Sequence, residues 1–219
     1  MKQRGEFTKA LLALQQDILK MGSLVEEIVA QAVKSLEAQD LQLVAEVFIL
    51  EKQIDQLELE IEDHCLRLIA TQQPMAKDLR KIASAFKIVH DLERMGDHAV
   101  DIAKVTQKIG AEPLIKPLID LPRMALTAQQ MIKDALDAYV AEDMAQAETV
   151  GQADDTVDSL HQQIFRELLL MMMEKPRVIT QATYLLFVSS SLERIADYAT
   201  NISESVIYLV SGRRLDLNQ

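Results

Sequence analysis

Glu51 and Asp55 stand four residues apart, as do Glu93 and Asp97, and Asp97 and Asp101. The spacing returns in Asp154 and Asp158, and in Glu193, Asp197 and Asn201. Residues four apart share one face of a helix, so each set is a stripe of hard oxygen donors. Such donors suit Fe, Mn, Mg or Ca. Like charges at this spacing destabilise an isolated helix by roughly 0.2–0.5 kcal/mol per pair, so four such helices want a compensating partner. A bound cation is one. The competing reading is a solvated acidic face, with Arg94 and Arg194 pairing to neighbouring glutamates. A lone stripe favours that reading; the same stripe placed equivalently in both halves of a chain favours metal.

The placement is equivalent because the chain repeats itself. Leu92-Glu93-Arg94-Met95-Gly96-Asp97-His98-Ala99 returns 100 residues later as Leu192-Glu193-Arg194-Ile195-Ala196-Asp197-Tyr198-Ala199. Glu51 to Asp55 falls on Asp154 to Asp158 at an offset of 103, and Ala38-Gln39-Asp40-Leu41 falls on Ala141-Glu142-Asp143-Met144 at the same offset. A duplication of this length predicts two like domains.

The elements that must hold the stripes are helices. Six long segments are expected, over about 7–38, 41–70, 75–109, 118–140, 143–174 and 177–210. Val47, Leu50, Ile54, Leu57, Ile61 and Leu68 recur at three- and four-residue spacing, and Val188, Leu192, Ile195, Ala199, Ile202, Val206 and Leu209 do likewise. These are the seams of packed helices. Asp40 and Glu142 or Asp143 are candidate N-caps, and Pro74 and Pro176 mark the equivalent joint in each copy. The breaker cluster Gly110-Ala-Glu-Pro113-Leu-Ile-Lys-Pro117 divides the chain into domains 1–112 and 113–219. The expected fold is all-α: two tandem pseudo-symmetric three-helix bundles of long antiparallel helices, each able to fold alone. The alternative is one six-helix bundle with a shared core. At 100° per residue the stripes lie roughly 70–150° from the apolar seams in the second, third and fifth helices. In the sixth they approach the far face. The carboxylates are therefore expected on the bundle flanks, near solvent.

Composition agrees and excludes much. The 219 residues are 49% hydrophobic and 4% aromatic, without Trp, and hold only 6 Gly and 5 Pro, a helical balance. A formal charge of −11 argues against non-specific DNA or anionic-lipid binding and suits a basic partner or cations. The one cysteine, Cys65, permits no internal disulfide and fits a reducing cytosol. The longest apolar runs fall far short of the ~18–20 residues that span a bilayer. The N-terminus lacks the apolar stretch of a signal peptide.

The segment Gln72-Gln-Pro-Met-Ala-Lys-Asp-Leu-Arg80, followed by Asp91-Leu-Glu-Arg-Met-Gly-Asp97-His98, resembles the first half of the PhoU family of phosphate-specific transport accessory proteins. Tyr184 to Val188, Ser191 to Ile202 and Val206 to Gly212 resemble its second half, in order and at matching spacing. The resemblance implies a pair of three-helix bundles in a cytoplasmic, often dimeric, non-enzymatic protein. It implies a negative regulator of phosphate uptake and of the phosphate-starvation response. The implied partners are the ATPase subunit of the phosphate ABC transporter and the phosphate-sensing histidine kinase, with no nucleic acid and with the membrane reached only through partners. Some members of the family bind multinuclear metal clusters through paired E(D)xxxD motifs. Those motifs match Glu51/Asp55 with Glu93/Asp97, and Asp154/Asp158 with Glu193/Asp197. Asp101 and Asn201 occupy the third position of the stripes on the third and sixth expected helices. An iron cluster is the first expectation, with Mn, Zn, Mg or Ca as alternatives. Asn201 for Asp101 and Tyr198 for His98 make the second site the poorer in donors.

Other motifs carry less. His64, His90, His98 and His161 are scattered, and Asp158-x-x-His161 alone approaches a ferritin-like ligand pair, so hydrogen-bonded histidines are expected. Met171-Met-Met173 reads as partial core filling, and Cys65 as a small buried hydrophobe. No phosphate-cradling glycine loop is present. Two other functions compete. A metal-dependent hydrolase of helical-bundle type would need a His-Asp pair facing the interior, for which Asp63 and His64 are the nearest candidates. A metal-free helical scaffold would need no stripes at all.

Overall fold

The structure is a computed structural model and describes residues 2–217, with the side chains of 5–217. Six helices account for nearly all of it: α1 Lys2–Ala38, α2 Leu41–Gln72, α3 Lys77–Ile109, α4 Asp120–Ala141, α5 Met144–Glu174 and α6 Ile179–Ser211. A single 3-10 turn, Pro176–Val178, precedes α6. No strand occurs among the described residues. The expected boundaries hold within a few residues except at the first helix, which extends five residues earlier than the expected Phe7.

The two copies turn alike. Gln39 and Glu142 adopt left-handed backbone (φ 51° and 52°), and the next residues, Asp40 and Asp143, donate their N–H back to Ser35 and Ala138 carbonyls at 3.0 Å. This closes α1 and α4. Asp40 then accepts from the Gln42 N–H at 2.8 Å, and Asp143 accepts from Ala145 and Gln146 at 2.9 and 3.2 Å. Both aspartates are thus the N-caps of α2 and α5. Glu142, the other candidate cap, closes α4 instead, and its carboxylate pairs with Lys77 (2.6 Å) and Lys81 (2.5 Å) of α3. A chain in the left-handed turn cannot also supply the extended geometry that a cap needs.

Three helices pack on one another in each half, α1, α2 and α3 in one and α4, α5 and α6 in the other. The halves meet where α3 packs against α6 and α1 against α4. Helices α2 and α5 are outer helices, each burying a single stripe, such as Val44, Val47, Leu50, Ile54, Leu57 and Ile61. Helices α3 and α6 are central and buried on more than one face. Small residues allow this close packing on several sides: Ala99, Ala103, Ala196, Ala199 and Ser203 are all fully buried. The buried side chains form one continuous cluster through both halves.

The α3/α6 contact is antiparallel. Arg80 Nε donates to the Leu209 carbonyl (3.3 Å) and Ser84 Oγ to the Ser205 carbonyl (3.1 Å) at one end. The His98 and Tyr198 rings lie 5.8 Å apart further along, and the Lys108 ammonium sits 5.7 Å from the Tyr184 ring centroid at the other end. Ser205 already has an intrahelical donor, so the Ser84 bond fixes register, whereas Leu209 lies in the last turn of α6 and Arg80 satisfies one of its end carbonyls. None of the helices is long and apolar enough to cross a membrane.

Candidate metal centres: two carboxylate clusters

Helix α2 runs antiparallel to α3 and lays Glu51, Asp55 and Glu58 beside Asp97 and Glu93. Burial, and then mutual repulsion, raises the proton affinity of Glu51, Asp55, Glu58 and Glu93. Burial, then the charges of Asp97 and Glu58, push the Glu93 carboxyl up to about 7. Glu51 is raised by burial, then by Asp55 and Asp97, and Asp55 by burial, then by Asp97. Arg94 Nη1 tempers the group through a salt bridge to Asp97 Oδ2 at 2.5 Å. Glu58, His90 and Glu93 offer three ligand atoms within 4.8 Å of one another, and His90 Nδ1 lies 3.6 Å from Glu58 Oε1.

The second cluster repeats the plan on α5 and α6. Asp154 is pushed up to about 7 by burial first, then by Asp158, Asp197 and Glu193. Asp197 rises to about 6 by burial and Glu193, with Arg194 opposing. Asp154 is only 8% exposed, and its Oδ1 is buried without a hydrogen-bond partner among the described residues. A buried orphan acceptor costs on the order of 1–3 kcal/mol, more for a charge, unless something donates to it.

Two expectations about these positions need correction. Asp154 is not a flank residue near solvent: it occupies the buried stripe of α5 between Val150 and Val157. Its neighbour Ala153 stands where the first copy has Leu50, and the smaller side chain leaves room for the carboxylate to be covered. Nor do Glu193 and Asp197 lie on the far face of α6. Both are half-buried, because α3, α4 and α5 surround that helix. The seam calculation assumed one buried face, and α6 has several.

Of the ten residues expected to ligate, eight fall into these two clusters: Glu51, Asp55, Glu93 and Asp97, and Asp154, Asp158, Glu193 and Asp197. Asp101 and Asn201 stand apart. Asp101 is exposed and pairs with Lys104 at 2.9 Å, and Asn201 gives its carbonyl to Ser205 Oγ at 3.0 Å. Sequence reasoning missed Glu58 and the role of His90. The signal was present: Asp55-x-x-Glu58 and Asp158-x-x-His161 lie at the same offset of 103, so each copy carries a third donor one turn on. The other histidines are partnered as expected. His161 Nδ1 bonds Ser189 Oγ (2.8 Å), and His64 lies 3.9 Å from Asp17. Asp63 pairs with Arg67 (3.4 Å), so Asp63 and His64 make no interior acid–base pair. Cys65 is buried, its thiol pushed up to about 12 by burial, which makes it inert.

The clusters lie on either side of the α3/α6 seam, and the seam between them is cationic and aromatic. Arg94 bonds Asp97 and also the Tyr198 side chain, and Arg194 and Arg94 both act on His98. The whole is a duplicated all-helical protein with one half-buried oxygen-donor cluster per repeat. The PhoU domain family model matches residues 18–106 and again 121–206, one match per bundle, and the chain belongs to that family. It is 45% identical over 217 residues to the phosphate-specific transport system accessory protein PhoU homolog of Clostridium acetobutylicum, covering 98% of this chain and 99% of that one. It is 41% identical over 204 residues to the homolog of Aquifex aeolicus. Its fold matches the crystal structure of PhoU from Pseudomonas aeruginosa with a TM-score of 0.90 at 38% identity, covering 94% of this chain and all of that one. The phosphate transport system regulatory protein PhoU from Streptococcus pneumoniae matches with a TM-score of 0.89 at 31% identity.

Proposed function

We propose that this chain is a non-enzymatic, cytoplasmic negative regulator of phosphate uptake and of the phosphate-starvation response, acting as a homodimer. It works by contact with the ATPase subunit of the phosphate ABC transporter and with the phosphate-sensing histidine kinase. The observation that carries this reading is the end-to-end match to proteins named as accessory to phosphate-specific transport, with both repeats intact. A regulator of this kind needs surface rather than a reaction centre, and the long outer helices supply it. Leu59, Leu66, Phe165, Leu170 and Met173 are all exposed on α2 and α5.

Metal belongs to the same proposal. The carboxylates fit a hard cation: oxygen donors converge from two helices, the proton affinities of Glu93 and Asp154 are raised, and Asp154 Oδ1 is an orphan acceptor. A cation replaces the protons such groups would otherwise hold. Glu51, Asp55, Glu93 and Asp97 would hold it in the first bundle, with Glu58 and His90 beside them. Asp154, Asp158, Glu193 and Asp197 would hold it in the second. Iron is the preferred ion, with Mn, Zn, Mg or Ca as alternatives. When bound, the ion supplies charge neutralisation and a cross-link between an outer and a central helix.

Deleting the gene tests the regulatory reading. Phosphate-starvation genes should then be expressed in phosphate-rich medium, and the chain should co-purify with the ATPase or the kinase. Normal repression in the deletion strain contradicts it.

A further inference from the structure

The internal duplication offers a control for each part of the molecule, and at the α3/α6 seam the two copies differ. Near the Lys108 end lies an open pocket of about 360 Å³, with walls from both halves of the chain. Helix α3 contributes Lys104 and Lys108, and α6 contributes Arg194, Ser190 and Ser191. Phe187, 60% exposed, forms part of the wall. Asp101 is the one carboxylate in the lining, and it is engaged with Lys104 at 2.9 Å. Lys108 is held over the Tyr184 ring, an arrangement that orients an ammonium without neutralising it.

The pseudo-equivalent place at the other end of the seam has changed character. With the offset of 100, Lys104 corresponds to Glu204, Lys108 to Tyr208 and Ser191 to Asp91. Asp91 is 4% exposed, with Oδ2 unpartnered among the described residues. Glu204 accepts from the Leu217 N–H at 3.0 Å, and Lys87 joins Arg214, Leu215 and Asp216 of the C-terminal segment in lining a pocket of about 550 Å³ there. At that end Lys87 and Arg214 are matched by Glu204 and Asp216, whereas at the Lys108 end three cations face the single carboxylate of Asp101. In a chain of net charge −11, a concentration of three cations around one concavity is not a consequence of composition.

We propose that the pocket between Lys104, Lys108 and Arg194 binds a phosphoryl oxyanion, either free orthophosphate or the phosphate of a nucleoside monophosphate. The cations supply charge-assisted donors, and the Ser190 and Ser191 hydroxyls supply neutral ones to the remaining oxygens. Phe187 is placed to stack a base if the ligand carries one. Because the walls come from α3 and α6, an occupant bridges the two halves of the molecule. The site borders the second carboxylate cluster, since Arg194 also acts on Asp197, but none of the eight clustered carboxylates lines it, so it goes beyond the regulatory reading above.

The test is calorimetric titration of the full chain, stripped with chelator to exclude metal-bridged phosphate, at about 0.15 M chloride to screen non-specific attraction. Orthophosphate, adenosine monophosphate and sulfate are titrated separately. Saturable binding of a phosphoryl ligand is expected. It should weaken about tenfold or more in Lys108→Ala/Arg194→Ala and be unchanged in Lys87→Ala at the opposite end of the seam. Circular dichroism melts establish that the variants are folded. Tighter binding of the nucleotide, lost in Phe187→Ala, identifies a nucleotide ligand; equal binding insensitive to Phe187 identifies free phosphate. Three results overturn the proposal: no saturable binding of either phosphoryl ligand up to about 10 mM, wild-type affinity in the folded double variant, or equal affinity for sulfate.

Discussion

Replacing Asp154 with asparagine should stabilise the metal-free protein at alkaline pH. The carboxyl is nearly isosteric with the amide, is 8% exposed and has an orphan oxygen, and an amide can donate to the neighbouring Asp158, Glu193 or Asp197. Burial and those three charges lift its proton affinity from 3.8 to about 7. Ionising it in the folded state at pH 8 therefore costs at most about 4 kcal/mol. Relaxation of the neighbouring carboxylates and water entry reduce this to about 2 kcal/mol. For a chain of this length that is a rise of about 4–8 °C in melting temperature. The sign follows from linkage. The folded value lies above the unfolded one, so the stability of the protonated form is fully present below about pH 4 and is lost as pH rises through about 7. The variant's advantage should grow from near zero at pH 4 to its full size at pH 8. Added cation should reverse the order, since it binds the wild-type cluster and not the neutralised one. Thermal melts by circular dichroism at four pH values, with chelator and then with Mn or Fe, measure all of this. A variant that melts with or below wild type at pH 8 in chelator refutes the reasoning.

Other outcomes follow from packing. A Cβ at Gly22 would meet Leu136 Cδ1 at 2.2 Å where α1 meets α4. Gly22→Ala should therefore destabilise by about 1 kcal/mol in denaturant melts, overpacking outweighing the gain in helix propensity; a more stable variant would show that the two helices do not approach so closely. Asp143→Ala removes the cap bonds to Ala145 and Gln146 and should cost about 1 kcal/mol, with no change in stability counting against the cap. Fragments 1–112 and 113–219 should each melt cooperatively, since each holds three packed helices. Both should melt below the whole chain, because separation exposes the buried faces of α3 and α6; fragments that regain structure only on mixing would mean one shared core.

Local chemistry was readable in the sequence wherever neighbours along the chain decide the outcome. Asp40 and Asp143 cap helices because the residue, the turn and the following N–H groups are all local. The joints at Pro74 and Pro176 were readable for the same reason, each falling in the short break before a central helix. The pairing of Glu51 and Asp55 with Asp97 was readable because the stripes repeat. What periodicity could not supply was contact between halves. A helix wheel shows one apolar face, but α3 and α6 bury more than one, and many of their buried positions are Ala, Ser or Thr rather than large aliphatics. Asp154 was consequently placed near solvent and Glu193 and Asp197 on the wrong side. Glu58 was overlooked because a three-residue step was read only as a histidine motif. The cationic pocket needed both central helices in place before Lys104, Lys108 and Arg194 could be seen together.

The central claim is that the duplicated carboxylate clusters hold cations. Elemental analysis of protein purified without chelator tests it most directly, comparing wild type with Asp97→Ala/Asp197→Ala. The account predicts Fe, Mn or a similar ion in the wild type and loss of most of it in the double variant, with helical content retained. Metal content unchanged in the double variant, or none in the wild type after growth in metal-replete medium, would contradict it.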